Sequence, residues 1–238
     1  MVKNIVVLFS AFILCNSTSI FAYSFKPTEL EYLSWSEECK SAYKTINDGR
    51  DFIYGHKIPS QRKDLKNVIW KSGYWHYCGG KVKIQRAKTE FNTKKRIALY
   101  RQGISNAFYT YERINKAHWL AADVGVTIAE GYRNLDKVDD AKEFLDSTLV
   151  YHPEYVPAHL TYAMIFFDGK DFEAAKKRLL KANKISNSES SEINYFLGLV
   201  SLNLNEMKAA KAYAEKAEKL GYPLSGLKNK IKQIENLK

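Results

Sequence analysis

The sequence is short of several things, and each shortage removes a class of function. Beyond its first residues no stretch is apolar enough to cross a bilayer, so the chain downstream is expected to carry no transmembrane span. There are only 3 cysteines, too few for a zinc site built on cysteine alone. No G-x-S-x-G, H-E-x-x-H or phosphate-binding glycine loop occurs. The familiar hydrolase, zinc-protease and nucleotide-binding centres are therefore missing. No catalytic residue, cofactor or metal is expected, and the chain reads as a non-enzyme.

What is present begins with an address. Lys3 gives a positive start, residues 5–15 form a short apolar run, and Ile20, Phe21 and Ala22 suit cleavage before Tyr23. Residues 1–22 are read as a cleavable signal peptide, with retention as an uncleaved anchor the alternative. Lipidation at Cys15 is disfavoured by Leu14, which is not a small residue. The expected location is the periplasm or the exterior. In such an oxidising place Cys39 and Cys78, the two cysteines left, are expected to pair. On the loop-entropy account that bridge contributes roughly 3–4 kcal/mol.

Cys78 ends a dense cluster, WKSGYWHYCGG at 70–80. Covalent haem attachment needs C-x-x-C-H, but here Cys78 stands alone and His76 precedes it. Zinc could draw on Cys39, Cys78, His56 and His76, although no two of them show short ligand spacing. A thiol nucleophile would need Cys78 reduced, with His76 as a weakly placed base. The favoured reading is structural: Trp70, Tyr74, Trp75 and Tyr77 pack around the bridge. Gly79 and Gly80 then turn the chain sharply into a long helix.

Charge divides the chain. Residues 23–121 hold 19 Lys+Arg against 9 Asp+Glu, whereas 122–238 hold 17 of each. Within 57–101 there are 13 basic residues and only Asp64 and Glu90 as acids, so the two halves are expected to meet different surfaces. In the basic head, residues 29–46 read as helix and 47–80 as loop with short helical turns. Ile97, Tyr100, Ile104, Ala107, Phe108, Tyr111 and Ile114 recur at helical spacing, predicting a long amphipathic helix within 84–116.

The second half repeats. Ala141, Ala175 and Ala210 stand 34 and 35 residues apart. Seven residues on from them come Thr148, Ala182 and Ala217, and three residues earlier Val138, Phe172 and Met207. Twelve residues earlier come Ala129, Ala163 and Gly198, where a small residue lets helices approach, and nine earlier Tyr132, Phe166 and Ser201. Twelve residues later come Pro153, Asn187 and Tyr222. The pattern resembles the tetratricopeptide repeat, a helix–turn–helix unit of about 34 residues. Thr148 and Ser201 depart from the usual alanine and tyrosine, and only the first unit has its proline. Three units are assigned, 122–155, 156–189 and 191–224, with Leu227, Ile231 and Ile234 in a capping helix at 225–238. The expected fold is all-α: an α-solenoid behind a disulfide-pinned helical head that closes its open end.

The resemblance implies a concave groove that holds a partner protein segment. Carried over position by position, its lining would be Val126, Glu130, Arg133 and Asn134 from the first unit. Leu160, Met164, Phe167 and Asp168 follow from the second, and Tyr195, Leu199, Leu202 and Asn203 from the third. Such a lining is apolar with a polar rim, suited to an amphipathic helix or an extended apolar segment. The Lys/Asn clamp with which cytosolic members hold a terminal carboxylate is absent, which argues against a co-chaperone. The implied role is an exported adaptor or scaffold in a cell-envelope assembly. The alternative is an envelope- or polyanion-binding module acting through the head at 57–101, with Lys88, Lys94, Lys95 and Arg101 as anion contacts. An exported chain meets lipid phosphates and cell-wall polymers, so no nucleic-acid partner is expected.

Overall fold

A computed structural model describes residues 25–236, Asp48 and Gln61 excepted. The leader at 1–22 lies outside the described residues.

Two short helices open the head, α1 (Glu29–Leu33) and α2 (Glu37–Tyr43). A capping box starts α1: the Thr28 hydroxyl accepts from the Glu31 amide, and the Glu31 carboxylate accepts from the Thr28 amide at 2.6 Å. Ser36 caps α2 in turn, and this second start splits the single helix expected over 29–46. Residues 47–80 are not the loop that their glycines suggest. A small antiparallel hairpin, β1 (Phe52–Ile53) and β2 (His56–Lys57), turns through Tyr54 and Gly55, both at positive φ. Two helices follow, α3 (Lys63–Ser72) and α4 (Tyr74–Thr89), with Gly73 in the left-handed conformation between them.

The aromatic–cysteine cluster thus straddles a helix junction, and its turn is Gly73. Gly79 and Gly80, expected to turn the chain, lie buried inside α4. Their use is close approach. A Cβ on Gly80 would stand 2.6 Å from the carbonyl oxygen of Gly103, and one on Gly103 would stand 2.9 Å from that of Gly80. This contact joins α4 to α5 (Thr93–Arg113), the long helix, which starts at Asn92 because that side chain accepts from the Lys95 amide at 3.0 Å. Tyr100, Ile104 and Ala107 on α5 are buried as the spacing requires, while residues 84–89 belong to α4.

Cys39 and Cys78 form the disulfide, with Cα atoms 5.6 Å apart and both residues buried. Cys78 lies two residues from Gly80, so the bridge leaves α4 on the side away from α5. A cluster of Phe25, Tyr32, Trp35, Tyr43, Tyr74 and Tyr77 packs around it, with Trp75 at its edge, whereas Trp70, expected there, lies exposed on the outer face of α3. Helix α1 is also tied farther along α4, where Arg86 donates twice to the Glu31 carboxylate at 2.6 and 2.7 Å.

Three helical hairpins succeed: α6 (Trp119–Arg133) with α7 (Val138–Tyr151), α8 (Val156–Asp168) with α9 (Phe172–Ile185), and α10 (Ser191–Asn203) with α11 (Met207–Lys219). Helix α6 starts within the stretch assigned to the head. The 34- and 35-residue register is visible in the backbone itself. Asp136, Lys170 and Asn205 hold the same left-handed turn position, φ 57°, 60° and 60°. After each comes the same bond, from the amides of Lys137, Asp171 and Glu206 to the carbonyls of Tyr132, Phe166 and Ser201. Ala129, Ala141, Ala163, Ala175 and Ala210 are all fully buried at the crossing points. The fold is an all-α solenoid of tetratricopeptide type with a disulfide in its head, apart from the two-residue strands.

Thr148, which replaces the usual alanine, is accommodated by Gly125 on α6. A Cβ there would lie 2.3 Å from the Thr148 hydroxyl oxygen. At the far end α12 (Gly226–Asn236) caps the stack, and Leu227 fills the space a Cβ on Gly198 would take, at 2.3 Å. At the near end α5 lies on α6, with the rings of Phe108 and Tyr111 edge-on to Phe144. Tyr111 and Ser147 share a hydrogen bond of 2.7 Å. The head therefore adds a fourth, longer hairpin, α4–α5, to the three in register.

Candidate partner-binding groove

The first helices of the three hairpins, α6, α8 and α10, present their expected groove positions in different states. Val126 and Met164 are buried in the cores between hairpins, so their side chains hold the stack together. Leu160, Phe167, Leu199 and Leu202 are half-buried, each resting on a core but open on one side. Phe167 meets Phe172 edge-on at 5.5 Å. Tyr195 stacks on Tyr222 with ring centres 4.2 Å apart, and Leu199 and Leu202 rest on the cluster of Ala210, Leu227 and Ile231. The cap thus supports the third hairpin's share of the lining.

The polar positions are partly engaged within the protein. Arg133 donates to Asp168 at 2.6 Å, an ion pair that joins the first hairpin to the second along the rim. The side-chain amides of Asn134 and Asn203 donate to the carbonyls of Glu130 and Leu199 at 2.7 and 2.8 Å. Each closes the last turn of its own helix, and the Glu130 carbonyl also accepts from the Asn134 backbone amide at 3.1 Å. Glu130 accepts from Lys88 at 3.1 Å, so a head lysine reaches the groove.

Sequence reasoning passed over Glu192, in the first turn of α10. Although Glu192 is exposed over much of its surface, partial desolvation of its carboxyl and then the charge of Glu130 push it above the usual range, with Lys88 opposing. Residues 62 positions apart in sequence therefore share one electrostatic neighbourhood on the inner face. A linear pattern holds no sign of it. Asp123, also unassigned, accepts a hydrogen bond from the Tyr155 hydroxyl.

The four basic residues assigned to anion contact separate. Lys88 is paired with Glu130. Lys94 and Lys95 lie exposed in the first turn of α5, Arg101 is exposed further along it, and these three make no ion pair with any described residue. The remaining candidates are local. His56 bonds Glu29 at 2.8 Å, His118 accepts from the Leu120 amide, and His152 and His159 bond backbone carbonyls. Among the described residues no three of His, Cys, Asp and Glu come together as metal ligands, and no helix is long and apolar enough to cross a membrane.

No protein-family profile matches the sequence, and no curated protein does. Among solved structures the chain is similar to a thermophilic TPR protein of Thermus thermophilus. That likeness has 14% identity and a TM-score of 0.49, covering 71% of this chain and 97% of the other. The architecture described above stands on this chain's own register and packing.

Proposed function

We propose that the protein is an exported, non-enzymatic adaptor whose groove holds a segment of a partner protein. The observation that carries this reading is the line of Leu160, Phe167, Leu199 and Leu202, half-open on the first helices of successive hairpins. A line of partly exposed apolar side chains bordered by Arg133, Asp168 and Asn203 suits an amphipathic helix or an extended apolar strand. The leader pattern at 1–22 and the buried Cys39–Cys78 bridge support a periplasmic or secreted location and a role in an envelope assembly. Crosslinking in vivo from Phe167 tests the groove. Phe167→Asp should reduce capture of the crosslinked partner at least about tenfold, while Lys94→Glu with Lys95→Glu leaves it unchanged. Equal capture by both variants sinks the groove reading.

A second reading is favoured by a specific observation. Lys94 and Lys95 occupy the positive end of the α5 dipole, where a cation is disfavoured, and no described acid offsets them. Contact between the head and an anionic envelope component explains that placement. Loss of binding on raising salt through the physiological range identifies it, because exposed charge is screened.

A further inference from the structure

We propose that the outer face of α3, centred on Trp70, docks the protein on the surface of an anionic phospholipid bilayer. The proposal rests on the anion reading of the head and moves the contact from α5 to α3. Helix α3 buries Leu65, Ile69 and Ser72. Lys63, Lys66 and Trp70 follow at helical spacing on the opposite face, with Lys71 beside them, and all four are exposed. The three lysines make no ion pair with any described residue. Asp64, the acid nearest in sequence, is already held by Arg62 at 2.8 Å. Lys63, in the first turn, opposes the helix dipole, so nothing local favours a cation there.

Trp70 is 65% exposed, an unusual state for the largest side chain. It heads a ladder of rings: Trp70 to Trp75 at 5.8 Å, Trp75 to His76 at 5.7 Å, and His76 to Tyr109 at 4.0 Å. The Arg113 guanidinium closes the far end, 3.7 Å from the Tyr109 ring centre. The inner rings are tilted against one another, at 49°, 32° and 34° along the ladder, and Trp70 is the exposed member at its outer end. A ring with one open side among unpaired lysines is what a headgroup layer receives. Tryptophan partitions to that depth, and each lysine adds attraction to anionic lipid.

The test is co-sedimentation of the full chain with vesicles of phosphatidylglycerol and phosphatidylcholine in equal parts, against phosphatidylcholine alone. Any binding through the apolar run at 5–15 would be common to both kinds of vesicle, so the difference between them is the readout. Lys63→Glu with Lys66→Glu should lower the anionic preference about tenfold or more, and Trp70→Ala should weaken binding to the anionic vesicles. Trp70→Phe should restore most of it, at an unchanged Tm. Three outcomes overturn the proposal: no preference for the anionic vesicles, α3 variants that bind as the parent does, or displacement by inorganic phosphate beyond that by chloride at equal ionic strength. If Lys94→Glu with Lys95→Glu abolishes binding while the α3 variants keep it, the contact returns to α5. The α3 proposal then fails while the anion reading stands.

Discussion

The hairpins α4–α5 and α8–α9 solve one packing problem with different means. In α8–α9 the helices meet at Ala163 and Ala175, and the rest of the contact is aliphatic and aromatic core. In α4–α5 they meet glycine to glycine, at Gly80 and Gly103, and α4 is then clasped on its other side. The clasp consists of Cys39–Cys78, the ion pair of Arg86 with Glu31, and a knot of aromatic rings. A repeat draws stability from identical neighbours. A terminal hairpin lacks one neighbour, and here covalent and ionic ties replace it.

That contrast can be broken by experiment. The largest effect should follow Cys39→Ala with Cys78→Ala. Removing the bridge should cost the head roughly 3–4 kcal/mol, read as faster hydrogen exchange in α1 to α4 with α8 to α11 little changed. Uniform acceleration along the chain would mean that the head and repeats are one cooperative unit. A smaller effect should come from Gly125→Ala, which forces a methyl against the Thr148 hydroxyl and should cost about 2 kcal/mol in a denaturant titration. Adding Thr148→Ala should recover most of it, and a cycle without coupling would show that Gly125 serves another purpose.

The smallest should be Glu31→Gln. Both partners of the pair with Arg86 are partly solvated, so screening limits the loss to about 1 kcal/mol. The Arg86 hydrogen bonds hold the Glu31 carboxyl below its ordinary value. Its contribution is therefore complete above the ordinary carboxylate range and is lost as pH falls through the lowered folded-state value. The difference in head stability between parent and Glu31→Gln should vanish in strong acid, and a difference that persists there would rule the ion pair out as its source.

The same contrast explains what could be read from the sequence. The repeats were legible because each obeys one period, and the small residue, the turn and the second small residue recur at fixed distances. Even the departure at Thr148 was visible, although its partner Gly125 was not, since that compensation crosses from one helix to another. In the head, Gly80 and Gly103 are 23 residues apart instead of the 12 that separate Ala129 from Ala141. Longer helices stretch the interval, and the fourth hairpin escaped the repeat pattern. Gly79 and Gly80 were misread because glycine marks both turns and close approaches. Only the neighbour across the gap distinguishes the two. In the groove, the half-open leucines and Phe167 follow the repeat positions, whereas Val126 and Met164 fall to the core because adjacent hairpins close over them.

If the groove holds a partner as proposed, the clasp on α4 would also act as a gauge. The inner side of α4 is already covered by α2 and the Cys39–Cys78 bridge, so a guest in the proposed groove has α6, α8 and α10 to lie along and meets a wall at the head. Three helices at a packing distance of 8–10 Å would give such a guest a berth of roughly 16–20 Å between the outer axes. An extended strand would fill it with about 5–6 residues. On the proposed function, the head would set how long a stretch of partner can be read and at which end reading stops.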